Sequence, residues 1–141
     1  MTHKPFSIDQ YDQDDDAKHA VIALFLAWNC DVRVNHDHYG IDLIGRDLQT
    51  REIFGVEVEV KHNWSGPTFP FDTVHYSARK MKYLQLPTQT YFCTVNTERT
   101  HCMILNLTGI EQCKLIRKQT NVTASEWFLE FPTHLFDTYK L

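Results

Sequence analysis

Hydrophobic positions change period several times along the chain, and each change marks an element. After three consecutive acids, Asp14, Asp15 and Asp16, the stretch "AKHAVIALFLAWN" carries apolar residues at 20, 21, 24, 25 and 28. That is a helical stripe, and acids at its start suit the positive end of a helix dipole, so the pattern predicts a helix over 14–29. Alternation takes over in "CDVRVN", resumes in "IDLIG" after the polar turn "HDHYG", and lengthens in "EIFGVEVEVK" after the polar reversal "RDLQTR". A period of two predicts three strands here. "HNWSGPTFP" contains one glycine and two prolines and reads as a loop. A second helix is predicted from a cap at Asp72 to Leu84, with Val74, Ala78, Met81 and Leu84 on its apolar side and His75, Arg79 and Lys82 on another. "QTYFCTVN" and "HCMILNL", joined by "TERT", read as a β-hairpin, and "CKLIRKQ" and "EWFLEFP" as late strands. Residues 1–13 are polar and expected to be loosely ordered. This order of elements is that of one α/β or α+β domain with a central mixed sheet.

Composition narrows the function. A chain of 141 residues with 43% hydrophobic content can bury its own core without disulfides or a structural metal. The four cysteines, 30, 93, 102 and 113, form no CxxC, which excludes zinc-ribbon and thioredoxin-like readings and leaves buried thiols in a reducing compartment. The longest apolar run, "AVIALFLAW", is far short of the roughly 20 residues that cross a bilayer, and "MTHKPFSIDQYDQDDD" lacks the apolar core of a signal peptide. An intracellular, cytoplasmic protein with no membrane role is therefore expected. No Gly-rich phosphate loop or GxSxG elbow is present, and no cysteine has a motif-level partner for nucleophilic catalysis. His36-x-His38 is a local pair with no third ligand in view, so an exposed polar turn is favoured over a metal site. The net charge of −4 argues against a large nucleic-acid footprint but permits a local basic surface.

The third strand poses the chemical question. In "GVEVEVKHNW", Val56, Val58 and Val60 share one face, and Glu57, Glu59 and Lys61 share the other. Solvent-facing strands often mix charges, and an exposed ion pair contributes about 0–1 kcal/mol, so Glu59-Val60-Lys61 alone says little. Its context says more. Asp42 lies on the preceding strand, the segment between reads as a β-reversal, an acid-led helix comes before, and a helix with a basic face follows.

This layout, over residues 14–96, resembles the PD-(D/E)xK nuclease superfamily, and within it Holliday junction resolvases and small phage or restriction-like endonucleases. The family motif is an Asp near the end of one strand, then Glu or Asp, any residue, and Lys on the next. The resemblance assigns these roles to Asp42, Glu59 and Lys61; Ile41 stands where the family usually has proline. It implies a restriction-endonuclease-like fold, with a mixed β-sheet flanked by helices, and a Mg²⁺-dependent deoxyribonuclease in which Mn²⁺ can substitute. Asp42, Glu59 and the backbone carbonyl of Val60 would be the metal ligands, and Lys61 would orient the attacking water. Mg²⁺ suits such a site because it prefers hard oxygen ligands and keeps several waters. Two acids and one lysine would leave the pocket negative.

Register tests the assignment. A reversal centred between Thr50 and Arg51 sets Asp42 opposite Glu59. One centred on Leu48 sets it opposite Phe54, with Glu59 about 17 Å away. The motif thus needs the later turn, or a bulge at Gly45 or Gly55. Glu57 is the rival acid on the same face. Asp15 and Asp16 are candidates for the accessory acid that relatives place on the first helix, though their charge also suits a helix start. Arg79, Lys80, Lys82 and His75 are candidate phosphate contacts, with Arg79 preferred. Trp64 either stacks on a base or packs in the core. DNA, branched or structured, is the expected substrate, and a homodimer would let two sites meet two strands. The alternative is a catalytically inactive nuclease-fold module that binds nucleic acid or a protein partner; a purely structural role would leave the charged face open to water.

Overall fold

The computed structural model describes residues 8–37, 40–107, 112–118 and 126–141, with side chains from Asp15 onward. Helix α1, Ile8–Ala27, starts earlier than the expected 14. Ala17, Val21 and Phe25, spaced four apart, are its fully buried stripe, whereas Trp28, just beyond its end, is 41% exposed. Asn29, in the left-handed region at φ 63°, turns the chain out of the helix and into the first strand.

Six strands build the main sheet: β1 Cys30–Val34, β2 Leu43–Asp47, β3 Ile53–Val60, β5 Gln89–Val95, β6 His101–Asn106 and β9 Asp137–Lys140, in spatial order β1-β2-β3-β5-β6-β9. The β3–β5 pair is parallel and the other four pairs are antiparallel, so the sheet is mixed, as the element order implied. A second sheet, in order β4-β8-β7, comprises β4 Thr73–Ser77, β7 Lys114–Lys118 and β8 Glu126–Pro132. A 3₁₀ helix, Ala78–Gln85, follows β4 and completes the crossover from β3 to β5. No helix among the described residues is long and apolar enough to cross a membrane.

Two cores result. Phe54, Val56, Val58 and Val60 of β3 point into the core shared with α1. Phe92, Met103 and Leu105 point the other way, into a core closed by Val74, Tyr76, Leu129 and Phe131 of the second sheet. The thiols of Cys30, Cys93 and Cys102 are free and buried, and that of Cys113 is free and half-buried.

The helix expected over 72–84 is a correction. Its first half is strand β4, because Val74 and Tyr76 alternate into the second core and pair with Phe131 and Leu129 of β8. Only from Ala78 does the chain coil, with the Ser77 hydroxyl accepting the Arg79 amide at the start. Strand β9 had no expectation at all. It is four residues long at the sheet edge, where only Tyr139 is even half-buried, so it carries almost no hydrophobic period.

Candidate active site

The β2–β3 turn decides which acids meet. Asp47 accepts the amides of Gln49 at 2.8 Å and Thr50 at 3.0 Å through Oδ1, and Arg51 takes a left-handed φ of 65°. These contacts centre the reversal between Gln49 and Thr50. The ladder then runs unbulged from Arg46↔Ile53 to Leu43↔Val56. Continued by one residue, it sets Asp42 opposite Glu57. The expected Asp42–Glu59 pairing needed a turn one residue later, and Glu59 instead lies two residues further along β3, about 7 Å on.

Asp42 stands where the ladder ends. Its Oδ2 accepts the Val58 amide at 2.8 Å, replacing a rung that β2 no longer supplies, and Lys18 of α1 reaches Oδ1 at 3.5 Å. Glu57 is 5% exposed. Burial holds its carboxyl well above the usual range, and a hydrogen bond shared with Asp42 adds to the effect, against the opposing charge of Lys80. The Tyr83 hydroxyl also bonds Glu57, and burial together with that acid raises the phenol.

Glu59 has different company. Lys61 Nζ lies 2.6 Å from Oε2 as an ion pair, and Lys80 Nζ lies 3.4 Å from Oε1. Burial opposes its charge, but the two lysines outweigh burial and hold its carboxyl below the usual range. For Lys80 likewise, burial disfavours the cation, yet Glu59, Glu57 and Asp42 raise its pKa overall. Lys61 Nζ also donates to the His75 carbonyl. Both ammonium groups sit over the Tyr76 ring, at 5.1 and 5.8 Å from its centroid. The charged face of β3 is therefore flanked by β4 and the 3₁₀ helix, with Glu57 buried and Glu59 and Lys61 half-buried. The site is not simply negative: Asp42 and Glu59 already have Lys18, Lys61 and Lys80 against them.

The other expected residues are scattered. Asp15 faces His19 one turn along α1 at 3.8 Å, and Asp16 is exposed; among the described α1 side chains it is Lys18 that reaches the site. Arg79 is folded back onto the Ser77 hydroxyl at 3.0 Å. Lys82 is exposed, 5.2 Å over the Tyr83 ring. His75 lies on β4 and contacts Glu130 at 2.9 Å and Lys118 at 2.8 Å. Of the two readings of Trp64, packing is the one the structure favours: it is fully buried, edge-on to Phe69, and its backbone carbonyl accepts from Thr97, so it is a core anchor that no base can reach. Val60 likewise turns its side chain into the α1-side core, leaving only its carbonyl for a ligand role. His38 lies outside the described residues, and with it the histidine pair.

Sequence reasoning missed Lys18, Tyr76 and Tyr83 at the site. Lys18 had a faint signal, since it directly follows Ala17 on the buried stripe. The two tyrosines had none, because the strand-to-3₁₀ transition that aims them was read as one helix.

Asp42 and Glu57 offer two hard carboxylates from adjoining strand positions. Among the described residues no group of three or more His, Cys, Asp or Glu side chains gathers to hold a metal.

Six strands, one long helix on one face and a small second layer on the other make the restriction-endonuclease-like, resolvase-type α+β fold that the resemblance implied. A solved structure with this architecture is Hjc, the Holliday junction resolvase of the hyperthermophilic archaeon Archaeoglobus fulgidus. It superposes with a TM-score of 0.54 at 9% sequence identity, over 86% of this chain and 85% of that one. At that identity the likeness is one of fold. No protein-family model matches the sequence, and no curated protein does.

Proposed function

We propose that the chain is a divalent-metal-dependent DNA endonuclease whose metal-holding acids are Asp42 and Glu57, with Glu59, Lys61 and Lys80 beside them. The observation that carries this reading is the buried Glu57 carboxyl set opposite Asp42 at the end of the β2–β3 ladder. Burying an acid next to another acid costs stability and has no packing rationale, and such costs concentrate at functional sites. The fold shared with a Holliday junction resolvase adds support at the level of architecture. A bound Mg²⁺ or Mn²⁺ would supply charge relief at the phosphorus and a more acidic water.

The protein's own groups have separable tasks. Asp42 and Glu57 hold the cation, and the two-residue shift of the acid along β3 makes the Val58 carbonyl the third oxygen in place of Val60. Glu59 fixes the ammonium groups of Lys61 and Lys80, which face the phosphate and balance charge gathering on its oxygens. Tyr83 orients Glu57. Branched or structured DNA is the proposed substrate, with a homodimer presenting two sites to two strands.

A second reading, a nuclease-fold module that binds without cutting, draws on one observation. Three lysines already meet the acids, so a dication gains less from the site than two bare carboxylates would offer. A cleavage panel separates the readings: linear duplex, single-stranded and four-way DNA, with Mg²⁺, Mn²⁺ or chelator. The endonuclease reading expects metal-dependent cleavage that is lost in Asp42→Asn and strongly reduced in Lys61→Ala. Binding to DNA without cleavage under every condition supports the second reading and overturns the first.

A further inference from the structure

On the face of the main sheet opposite Glu57, a cavity of about 330 Å³ opens beside the C-terminal end of α1. Its volume is at the low end for ligand pockets, which start near ~300 Å³. Five aromatic rings line it: Phe25, Trp28, Phe54, Tyr91 and Tyr139. Phe54 and Tyr91 stand at 88° to each other with centroids 5.6 Å apart. Trp28 and Tyr139 stand at 67° and 4.7 Å, and Phe25 and Trp28 at 74° and 5.3 Å. Phe25 and Phe54 stack at 29° and 5.4 Å behind them, so the cavity is bordered by a continuous aromatic cluster, the kind of lining that attracts an organic cation.

Charge points the same way. Asp47, Glu52 and Asp137 border the cavity, and among the described residues no lysine or arginine lines it. Glu52 and Asp137 are exposed, so the acids lie on the solvent side and the rings of Phe25 and Phe54, both nearly fully buried, form the back. Backbone amides of Thr50 and Gln49 hold the Asp47 carboxyl below its usual range, which keeps it anionic. A neutral apolar ligand would have no use for three carboxylates, and an inorganic cation would have none for five rings.

We propose that this cavity is a binding site for an organic cation of the alkylated-ammonium class, held by the rings of Trp28, Tyr91 and Tyr139 and by the carboxylates of Glu52 and Asp137. The site is independent of the nuclease reading, since Phe54 and Tyr91 project from the opposite face of the sheet to Glu57. An alkylated ammonium can come as a free small molecule or as a modified lysine side chain, and both present the same group to the rings.

The test titrates the full chain with choline, with tetramethylammonium and with a trimethyl-lysine peptide, read by calorimetry and by the change in tryptophan emission. The control is 3,3-dimethyl-1-butanol, the uncharged isostere of choline. Saturable binding of the cations is expected, about tenfold tighter for choline than for the isostere. The surface variant Glu52→Gln/Asp137→Asn, which touches no core residue, should weaken choline severalfold while leaving the melting temperature in place. A tighter peptide assigns the source to a protein side chain, and a tighter choline assigns it to a small molecule. No saturable binding of any cation, or equal affinity for choline and its isostere, overturns the proposal.

Discussion

Glu57, only 5% exposed, stands opposite Asp42 across the end of the β2–β3 ladder. An acid at the end of one strand and an acid in the middle of the next are brought together where two apolar residues could have packed.

Stability should report that arrangement directly. The folded state binds the Glu57 proton more tightly than the unfolded chain does, whose ordinary value is 4.5. Folding is therefore penalised progressively as pH rises above that value, and the penalty is absent below it. Glu57→Gln keeps an N–H donor for Asp42 and removes the ionisable group. It should raise the melting temperature at pH 8 and leave it nearly unchanged at pH 4. A variant that melts lower than the wild type at pH 8 would show that the buried acid stabilises the fold.

Asp42 has a structural task besides any chemical one. Asp42→Ala strands the Val58 amide and removes the Lys18 ion pair, and should cost about 1–3 kcal/mol in denaturant unfolding. Asp42→Asn retains an acceptor for Val58 and should cost distinctly less. Equal losses would mean that the Val58 contact contributes little.

Trp64 separates packing from recognition. Trp64→Ala should cost about 3–5 kcal/mol, because a fully buried ring leaves a cavity next to Phe69. Trp64→Phe should restore much of that loss and bind single-stranded DNA as the wild type does. A selective loss of DNA affinity in a stable Trp64→Phe protein would restore the base-stacking role.

Much of the fold was legible where periods are long and unbroken. Val56, Val58 and Val60 gave β3 and its core face, Val21 and Phe25 gave α1, and the "TERT" linker gave the β5–β6 hairpin. Strand β4 was misread because Val74, Ala78 and Met81 imitate a helical stripe, while the pairing that makes 73–77 a strand comes from β8, more than fifty residues away. The candidate site was legible as a set of residue types, Asp42 with an acid- and lysine-bearing strand. Which acid it meets was not. That choice rests on a turn placed by the Asp47 side chain and by the backbone of Arg51, and "RDLQTR" offers several centres to a reader who sees only polarity.

The central claim is that Asp42 and Glu57 form the cation site and Glu59 does not. Calorimetric titration of Mn²⁺ into the wild type, Asp42→Asn, Glu57→Gln and Glu59→Gln tests it most directly. We expect Asp42→Asn and Glu57→Gln each to weaken binding by about tenfold or more, and Glu59→Gln to weaken it much less. Wild-type affinity in Glu57→Gln, with binding lost in Glu59→Gln, would contradict the account and return the metal to the Glu-x-Lys pair.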